Sequence, residues 1–398
     1  VKIRSVLTPA LTVWLCVAAA RAVSTGEPFY GDAPDEHHPW AVHDQNRPQP
    51  QRVEPGTFSS PEQPGQPPAD AVVLFDGTDA TLANWEADKP GSEPTRWVVK
   101  EGALICVPKA GYIRSKAKFG DCQLHVEWAA PTPPQDESQG RGNSGVFLMG
   151  LMEVQVLDNY DNPTYADGFA ASVYGVQPPL ANALRAPGQW QMYDIVFRRP
   201  VYRQGAVVDP GYVTVFLNGV LVQDHTPLEG ATGHMKRPSP GAFPEVGPLK
   251  LQDHGNPVRY RNIWYRALPP RAVEGGTDGC LTTEATMAKR REIAAAVRAD
   301  AAKLRDPVNP RPEMLRLMES LVYEQDAAAL QQVEQMAGAY VAELRKLPAN
   351  QLDSKKDEVK HVHNAVNFLA RFKCIPNSFG PKVELKKIVD EQGWEKKR

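Results

Sequence analysis

Two segments of the sequence carry acids, amides and bases where they could act on one ligand. In EVQVLD, from Glu153, the apolar Met152, Val154 and Val156 alternate with the polar Glu153 and Gln155. Successive strand side chains point to opposite faces, so the two polar residues share a surface turned away from the core. Ahead of and within QDHGNPVR, from Gln252, the apolar Leu249 and Leu251 set Lys250 and Gln252 apart in the same manner. A third run, QLHVEW from Gln123, leaves His125 and Glu127 opposite Leu124, Val126 and Trp128. A carboxylate takes a proton, an amide both donates and accepts, and a lysine steadies an anion. Such a set suits a polyhydroxylated ligand better than an apolar one. The plainer alternative is a sheet face kept polar by water alone.

Asp253 and His254 follow the Gln252 strand and precede Gly255 and Asn256, a composition fit for a turn beneath a site. A histidine beside a carboxylate titrates near neutrality and can move protons, although a structural turn uses the same residues. Ordinary glycoside hydrolysis would instead need two carboxyl groups flanking the bond. Glu153 and Asp158 fall on opposite faces unless the chain bends after Val156, which makes Glu127 with Glu153 the better pair.

The elements around these segments are short. Runs such as Trp97 to Val99, Gly145 to Leu148, Tyr193 to Phe197, Val213 to Leu217 and Asn262 to Tyr265 are separated by Gly, Pro and Asn turns. Many short strands without intervening helical periods predict two stacked antiparallel sheets. Asn218-Gly219 is a two-residue hairpin signal. After Gly279 the spacing becomes helical, with amphipathic stretches over 284–304, 313–323, 327–347 and 356–372 and prolines at their boundaries. His361 and His363 sit on different helix faces there, and no catalytic spacing occurs. This helical region, 280–398, is a candidate protein-binding part with an unknown partner.

At the other end, Lys2 and Arg4, an apolar run from Val6 to Ala20 and the small residues around Arg21 read as a secretory signal over 1–22. The expected location is therefore exported, periplasmic or extracellular, with no membrane attachment after cleavage. A lipid anchor at Cys16 is disfavoured by Val13 and Trp14. Residues 23–70, rich in Pro and Gln with few core positions, read as a disordered spacer, in which His37 and His38 are solvated rather than metal-binding. Of the remaining cysteines none is spaced for zinc. Cys106 with Cys122 is the better disulfide pair, free buried thiols being the alternative. A formal net charge of −2 gathers no phosphates, which argues against a nucleic-acid partner.

LFDG at Leu74, WVVKEGAL at Trp97, GNSGVFL at Gly142, EVQVLD, YGVQPPLANA at Tyr174, QWQMYDIVF at Gln189, LNGVLVQD at Leu217 and GPLKLQDHGNPVRYRNIWYR at Gly247 together resemble the DUF1080 family of 3-keto-disaccharide hydrolases. The resemblance runs over residues 71–270. It implies a mainly β, concanavalin-like jelly-roll sandwich that cleaves 3-keto-glycosides, by hydrolysis or by elimination to a keto-glucal followed by hydration. A ketone at sugar carbon 3 acidifies the hydrogen at carbon 2. One base, one stabiliser of the enolate oxygen and an acid for the leaving oxygen then suffice. His254 or Glu153 is the expected base, with Asp253 orienting the histidine. Lys250 or Arg261 is the expected enolate stabiliser, and Glu127, Asn143, Gln155 and Gln252 the other substrate contacts. A divalent cation held by carboxylates and His is an alternative stabiliser, with no spacing that defines it. The contrasting function for the same architecture is a noncatalytic carbohydrate-binding module.

Overall fold

The computed structural model describes residues 29–394 except 90, 92, 239–240, 242, 270–275 and 278–279. The signal-like residues 1–22 lie outside it. The chain divides into two compact units, one of residues 52–273 and one of 1–51 with 274–398.

In the first unit, alternation gives the strands β1 (Val72–Phe75), β2 (Trp85–Ala87), β3 (Val98–Lys100), β4 (Ala103–Ile105), β5 (Ile113–Phe119), β6 (Cys122–Ala129), β7 (Ser144–Leu148) and β8 (Met152–Val156). They continue as β9 (Gln191–Arg198), β10 (Val201–Arg203), β11 (Ala206–Asp209), β12 (Gly211–Leu217), β13 (Val220–Leu228), β14 (Gly247–Leu251) and β15 (Arg259–Ala267). One sheet of eight strands runs β13-β12-β9-β6-β15-β4-β3 with β1 beside β15, and a second of five runs β2-β5-β14-β7-β8. Their pairings are antiparallel. This is the jelly-roll sandwich expected from the strand pattern. Asn218 and Gly219 turn β12 into β13 with φ of 54° and 82°, the positive values such a two-residue hairpin requires.

Between the sheets the inward residues of both form one buried core that includes Trp85, Leu124, Val126, Trp128, Val154, Val156, Ile195, Leu249 and Leu251. Two core tyrosines reach across it. Tyr193 on β9 donates from its hydroxyl to the carbonyl of Gln155 at 2.7 Å. Tyr260 on β15 donates to Ser144 Oγ at 2.7 Å, which in turn donates to the carbonyl of Gln252 at 2.6 Å. The large sheet thereby fixes the backbone of the two strands that carry Gln155 and Gln252. Replacing either tyrosine by Phe is expected to cost about 1–2 kcal/mol, the worth of one buried hydrogen bond with its acceptor left unpaired. Urea denaturation checks this, and unchanged midpoints for both variants would remove the struts from the account.

The Pro-rich stretch ahead of the sandwich has almost no regular secondary structure, as its composition implies, yet it makes specific contacts. Residues 54–69 fold back on themselves through Ala69 N to Glu54 O, Thr57 N to Gln66 O and Ser60 N to Gln63 O, all within 3.0 Å. Gly56 and Gly65 permit this, because a Cβ on either would sit about 2 Å from the carbonyl of the opposite limb. The loop lies on the outer face of the eight-stranded sheet, where Arg261 donates to the carbonyl of Ser60 at 3.0 Å. Further upstream, Phe29, Ala33 and Trp40 pack on the helical unit.

That unit contains α-helices over Thr283–Lys303, Arg311–Tyr323, Ala327–Lys346, Ala349–Asp353, Lys356–Arg371 and Gly380–Glu391. Four match the expected stretches. The last was passed over because prolines at 376 and 381 obscure its start, though Leu385, Ile388 and Val389 give it a core stripe. His363 is buried and pairs with Asn367 at 3.1 Å. Cys106, Cys122 and Cys374 are free and buried, which is the alternative weighed against a Cys106 to Cys122 bridge. Burial raises all three thiols, to about 11 in Cys374. Among the described residues no helix is long and apolar enough to cross a membrane.

Candidate active site

The outward face of the five-stranded sheet carries two rows of side chains set by strand register. One row reads Glu86, Arg114, Lys250, Phe147, Glu153 across β2, β5, β14, β7 and β8. The neighbouring row contains Gln252, Gly145 and Gln155, since Gly145 pairs with Gln155 and its carbonyl accepts from Gln252 N at 3.1 Å. Glu153 with Gln155 and Lys250 with Gln252, each pair set by alternation on the polar side of its own strand, are brought by the strand pairing onto one face.

Glu153 is 5% exposed and Gln155 1% exposed. Loops cover them: the Glu153 amide donates to Thr232 Oγ1 at 3.0 Å, and its carbonyl accepts from Tyr174 N at 3.2 Å. The Glu153 carboxyl lies across Gly145, where a Cβ would stand 2.2 Å from Oε1. Only glycine leaves that space open. Among the described residues the carboxyl has no hydrogen-bond partner, and its burial pushes its pKa up to about 8. Removal from water with nothing to hold the negative charge is the cause.

Both flanking glutamines are half satisfied. Gln252 Nε2 donates to the Tyr112 hydroxyl at 2.8 Å and Gln155 Nε2 to Gln139 Oε1 at 3.1 Å. The Oε1 of each is buried without a partner among the described residues. Two orphan acceptors beside an orphan carboxyl are what a ligand rich in hydroxyls satisfies. Tyr112 accepts from Gln252, so its own proton stays available; burial, and to a smaller degree the charges of Glu153, Asp253 and Asp88, raise its pKa against the opposing Gln252 bond. Lys250 is held by Asp88 at 2.8 Å and Arg114 by Glu86 at 2.8 Å.

A smaller cavity of about 470 Å³ is lined by Tyr165, Tyr174, His234 and Lys236. Tyr174 Oη bonds both Tyr165 Oη and His234 Nδ1 at 2.9 Å. Burial first, then Tyr165 and the charges of Glu153 and Asp167, raise the Tyr174 pKa. These loop aromatics were not singled out from the sequence. Their only signal was the YGVQPP run, whose backbone happens to seal the edge of β8.

The other expected residues are distributed differently. Asn143 is buried and donates to the Gln139 carbonyl at 2.8 Å, which shapes the loop that supports Gln155. Asp158 is tied to Arg141 at 2.8 and 3.1 Å. Asp253 does not orient His254: its carboxylate accepts from Gly111 N and Gly255 N at 2.8 and 2.9 Å, forming the turn. His254 is exposed and its ring has no hydrogen bond among the described residues. The His254→Ala variant is accordingly expected to keep turnover of a 3-keto-glucoside within tenfold, checked by initial rates.

Glu127 and Arg261 belong to the other sheet. They form an ion pair at 2.7 Å on its outer face beneath the 54–69 loop, so the core of the sandwich separates them from Glu153. Neither can join Glu153 around one ligand. Alternation had given Glu127 the correct facing within its strand, but it cannot tell which of two sheets a strand enters. Among the described residues no three His, Cys, Asp or Glu side chains gather as a metal site.

A jelly roll with a carboxyl, amides and tyrosines on one face defines a glycosyl hydrolase-like, carbohydrate-active protein. The chain belongs to the 3-keto-alpha-glucoside-1,2-lyase-like domain family, whose profile matches residues 70–266. A solved structure from Parabacteroides distasonis ATCC 8503, provisionally described as a glycosyl hydrolase, is 44% identical over 56% of this chain and 93% of its own, with a TM-score of 0.53. A second structure from that organism, described in the same words, is 19% identical over 50% of this chain and 94% of its own, with a TM-score of 0.36. Among curated proteins none matches the chain.

Proposed function

We propose that this protein is an exported enzyme that cleaves 3-keto-glycosides, with Glu153 as the group that moves the proton. The observation that carries the proposal is the Glu153 carboxyl, buried over Gly145 without a partner and poised at about 8. A base must be able to hold and release a proton near working pH, and this environment supplies that property. The family supports the substrate class, and the basic and apolar residues of 1–22 support export.

In the proposed reaction Glu153 takes the hydrogen from carbon 2 of the sugar. The electron pair forms the carbon 2 to carbon 3 double bond of an enolate, whose oxygen accepts the free proton of Tyr112 as a hydrogen bond, with Lys250 nearby in the row. The carbon 3 ketone then re-forms, the electron pair of the enolate double bond moves to make a carbon 1 to carbon 2 double bond, the bond from carbon 1 to the aglycone oxygen breaks, and that oxygen takes a proton from the tyrosine and histidine cluster at Tyr174. Addition of water to the resulting keto-glucal completes net hydrolysis. Gln155 and Gln252 accept hydroxyl hydrogens of the sugar. The two-carboxylate route is less well served, since Glu127 is on the far sheet, Asp158 is neutralised by Arg141, and Glu86 is four strands from Glu153, roughly 19 Å at about 4.8 Å per strand.

Incubation with a 3-keto-glucoside in deuterated water tests the proposal. Cleavage with deuterium entering at carbon 2 is expected; cleavage without exchange would favour direct hydrolysis. Sugar binding without any cleavage would leave a noncatalytic module. A companion variant, Gly145→Ala, should fold but lose about a hundredfold in turnover, because the new methyl displaces the flexible end of Glu153. Near-normal rates in that variant would remove Glu153 from the reaction.

A further inference from the structure

The outer face of the eight-stranded sheet, on the opposite side of the sandwich from Glu153, carries a cavity of about 850 Å³. Its floor is built from β6, β9, β12 and β15, and its roof is the 54–69 loop. We propose that this cavity is a second carbohydrate site, which binds a neutral oligosaccharide and takes no part in bond cleavage.

Charge decides against an ionic ligand. His125 on the floor is clamped between Asp194 at 2.7 Å and Glu127 at 3.3 Å. Burial opposes its charge, but the hydrogen bonds it donates to those two carboxylates prevail and hold it protonated, at about 9. Arg266 is paired with Asp70 at 2.6 Å, and Arg185 faces the charges of Glu62 and Glu127. His125 and Arg266 each hold an anion, and Arg185, with no ion pair of its own among the described residues, stands near two, so the charges of the floor offset one another.

Unfilled hydrogen-bonding capacity remains all the same. Asp194 gives Oδ1 to His125, its side chain is 47% exposed, and Oδ2 has no partner among the described residues. Arg185 uses NH1 on Trp190 O and Asn218 Oδ1, which leaves its other guanidinium donors toward the cavity it lines. Apolar surface lies between these groups, from Phe216, Met192 and Trp264, whose indole stacks on His125 with centroids 5.1 Å apart.

The lip is the most telling part. Phe58 is wholly exposed although it lines the cavity. The backbone on either side of it is held, Thr57 N by Gln66 O and Ser59 Oγ by Glu127. An uncovered ring on a fixed stretch of backbone, above donors and acceptors of both charges, matches the two sides of a pyranose, one rich in C–H and the other in O–H. The volume lies within the roughly 300–1,000 Å³ of small-molecule sites. The roof lies ahead of residue 70, where the family match begins, and the floor lies within that match.

The test is binding by the full chain, by affinity electrophoresis in gels containing mixed-linkage β-glucan, xyloglucan, pullulan or alginate, and by calorimetry with cellohexaose, laminarihexaose and maltohexaose. Wild type and Glu153→Gln are expected to be retarded equally by at least one neutral glucan. Phe58→Ala, an exposed position with no packing to lose, should weaken the matching hexaose at least fivefold, and Phe58→Ala with Phe216→Ala should abolish retention. Turnover of a 3-keto-glucoside by Phe58→Ala should stay within twofold. Retention on alginate alone, retention on nothing, or retention lost in Gln155→Ala but kept in Phe58→Ala would each overturn the proposal. None of these binding outcomes depends on cleavage, so they stand apart from the test of Glu153.

Discussion

Glu153→Gln is expected to lower kcat/KM on a 3-keto-glucoside by about a thousandfold, within the 10²–10⁴ that a positioned proton-transfer group contributes. The variant keeps shape and polarity, so binding of an unreactive sugar analogue should change little. The working form of the base is the carboxylate. With its pKa pushed up to about 8, the rate should climb nearly tenfold per pH unit toward 8 and level off above it. Stability should move the other way. The folded value is raised above the ordinary 4.5, so the contribution of the protonated carboxyl is complete below about 4.5 and is lost as pH rises through about 8. At pH 8 the uncharged glutamine should therefore stabilise the fold by about 1–3 kcal/mol, read from urea midpoints. Activity lost together with stability would mark Glu153 as a structural residue and sink its assignment as base.

Arg261→Ala should destabilise the β-unit by about 3–5 kcal/mol, because it takes the nearer of two cations, at 2.7 Å against 3.3 Å for His125, from the fully buried Glu127. Burial alone would raise the Glu127 pKa, but hydrogen bonds from His125, Asn262 and Ser59 and the charge of Arg261 hold it below its ordinary value. Arg261 also lies over Trp190 at 4.3 Å and holds two carbonyls of the 54–69 loop. Turnover per folded molecule should be unchanged, since the pair is on the far sheet. A variant as stable as wild type, by chemical denaturation, would mean that water or the loop already replaces the pair.

The strands and their facing were legible because period-two alternation is strict wherever one face meets a core, as in Met152 to Val156 and Leu249 to Leu251. The separation of Glu153, Gln155, Lys250 and Gln252 from their core neighbours followed from that alone, whereas their shared rows come from the pairing of β14, β7 and β8. Sheet membership was not legible: Gln123 to Trp128 alternates in the same way, and only the pairing of β6 with β9 and β15 sends His125 and Glu127 to the opposite side. Nor could composition reveal that Asp253 spends its carboxylate on Gly111, 142 residues earlier in the chain. Histidine next to aspartate in sequence is a weaker sign of a proton-moving pair than a carboxyl that the fold leaves without a partner. Similarly, the proline-rich stretch was recognisable as lacking helix and strand, but extended chain can still dock when it offers hydroxyls and carbonyls to buried charges.

That docking has a practical bearing on where the β-unit can be cut. Trimmed to the limits of its family match, 70–266, the sandwich would keep its strands, short of Ala267 at the end of β15, and the whole face around Glu153, yet lose Ser59, Ser60 and Glu62, the groups that cover Arg261 and Glu127. An ion pair built for a dry setting would then meet water on one side, together with the hydrophobic floor around Trp264 and Phe216. The smallest autonomous piece of this chain thus begins nearer residue 52 than 70, and the apparent tail of the protein is, in thermodynamic terms, part of the domain.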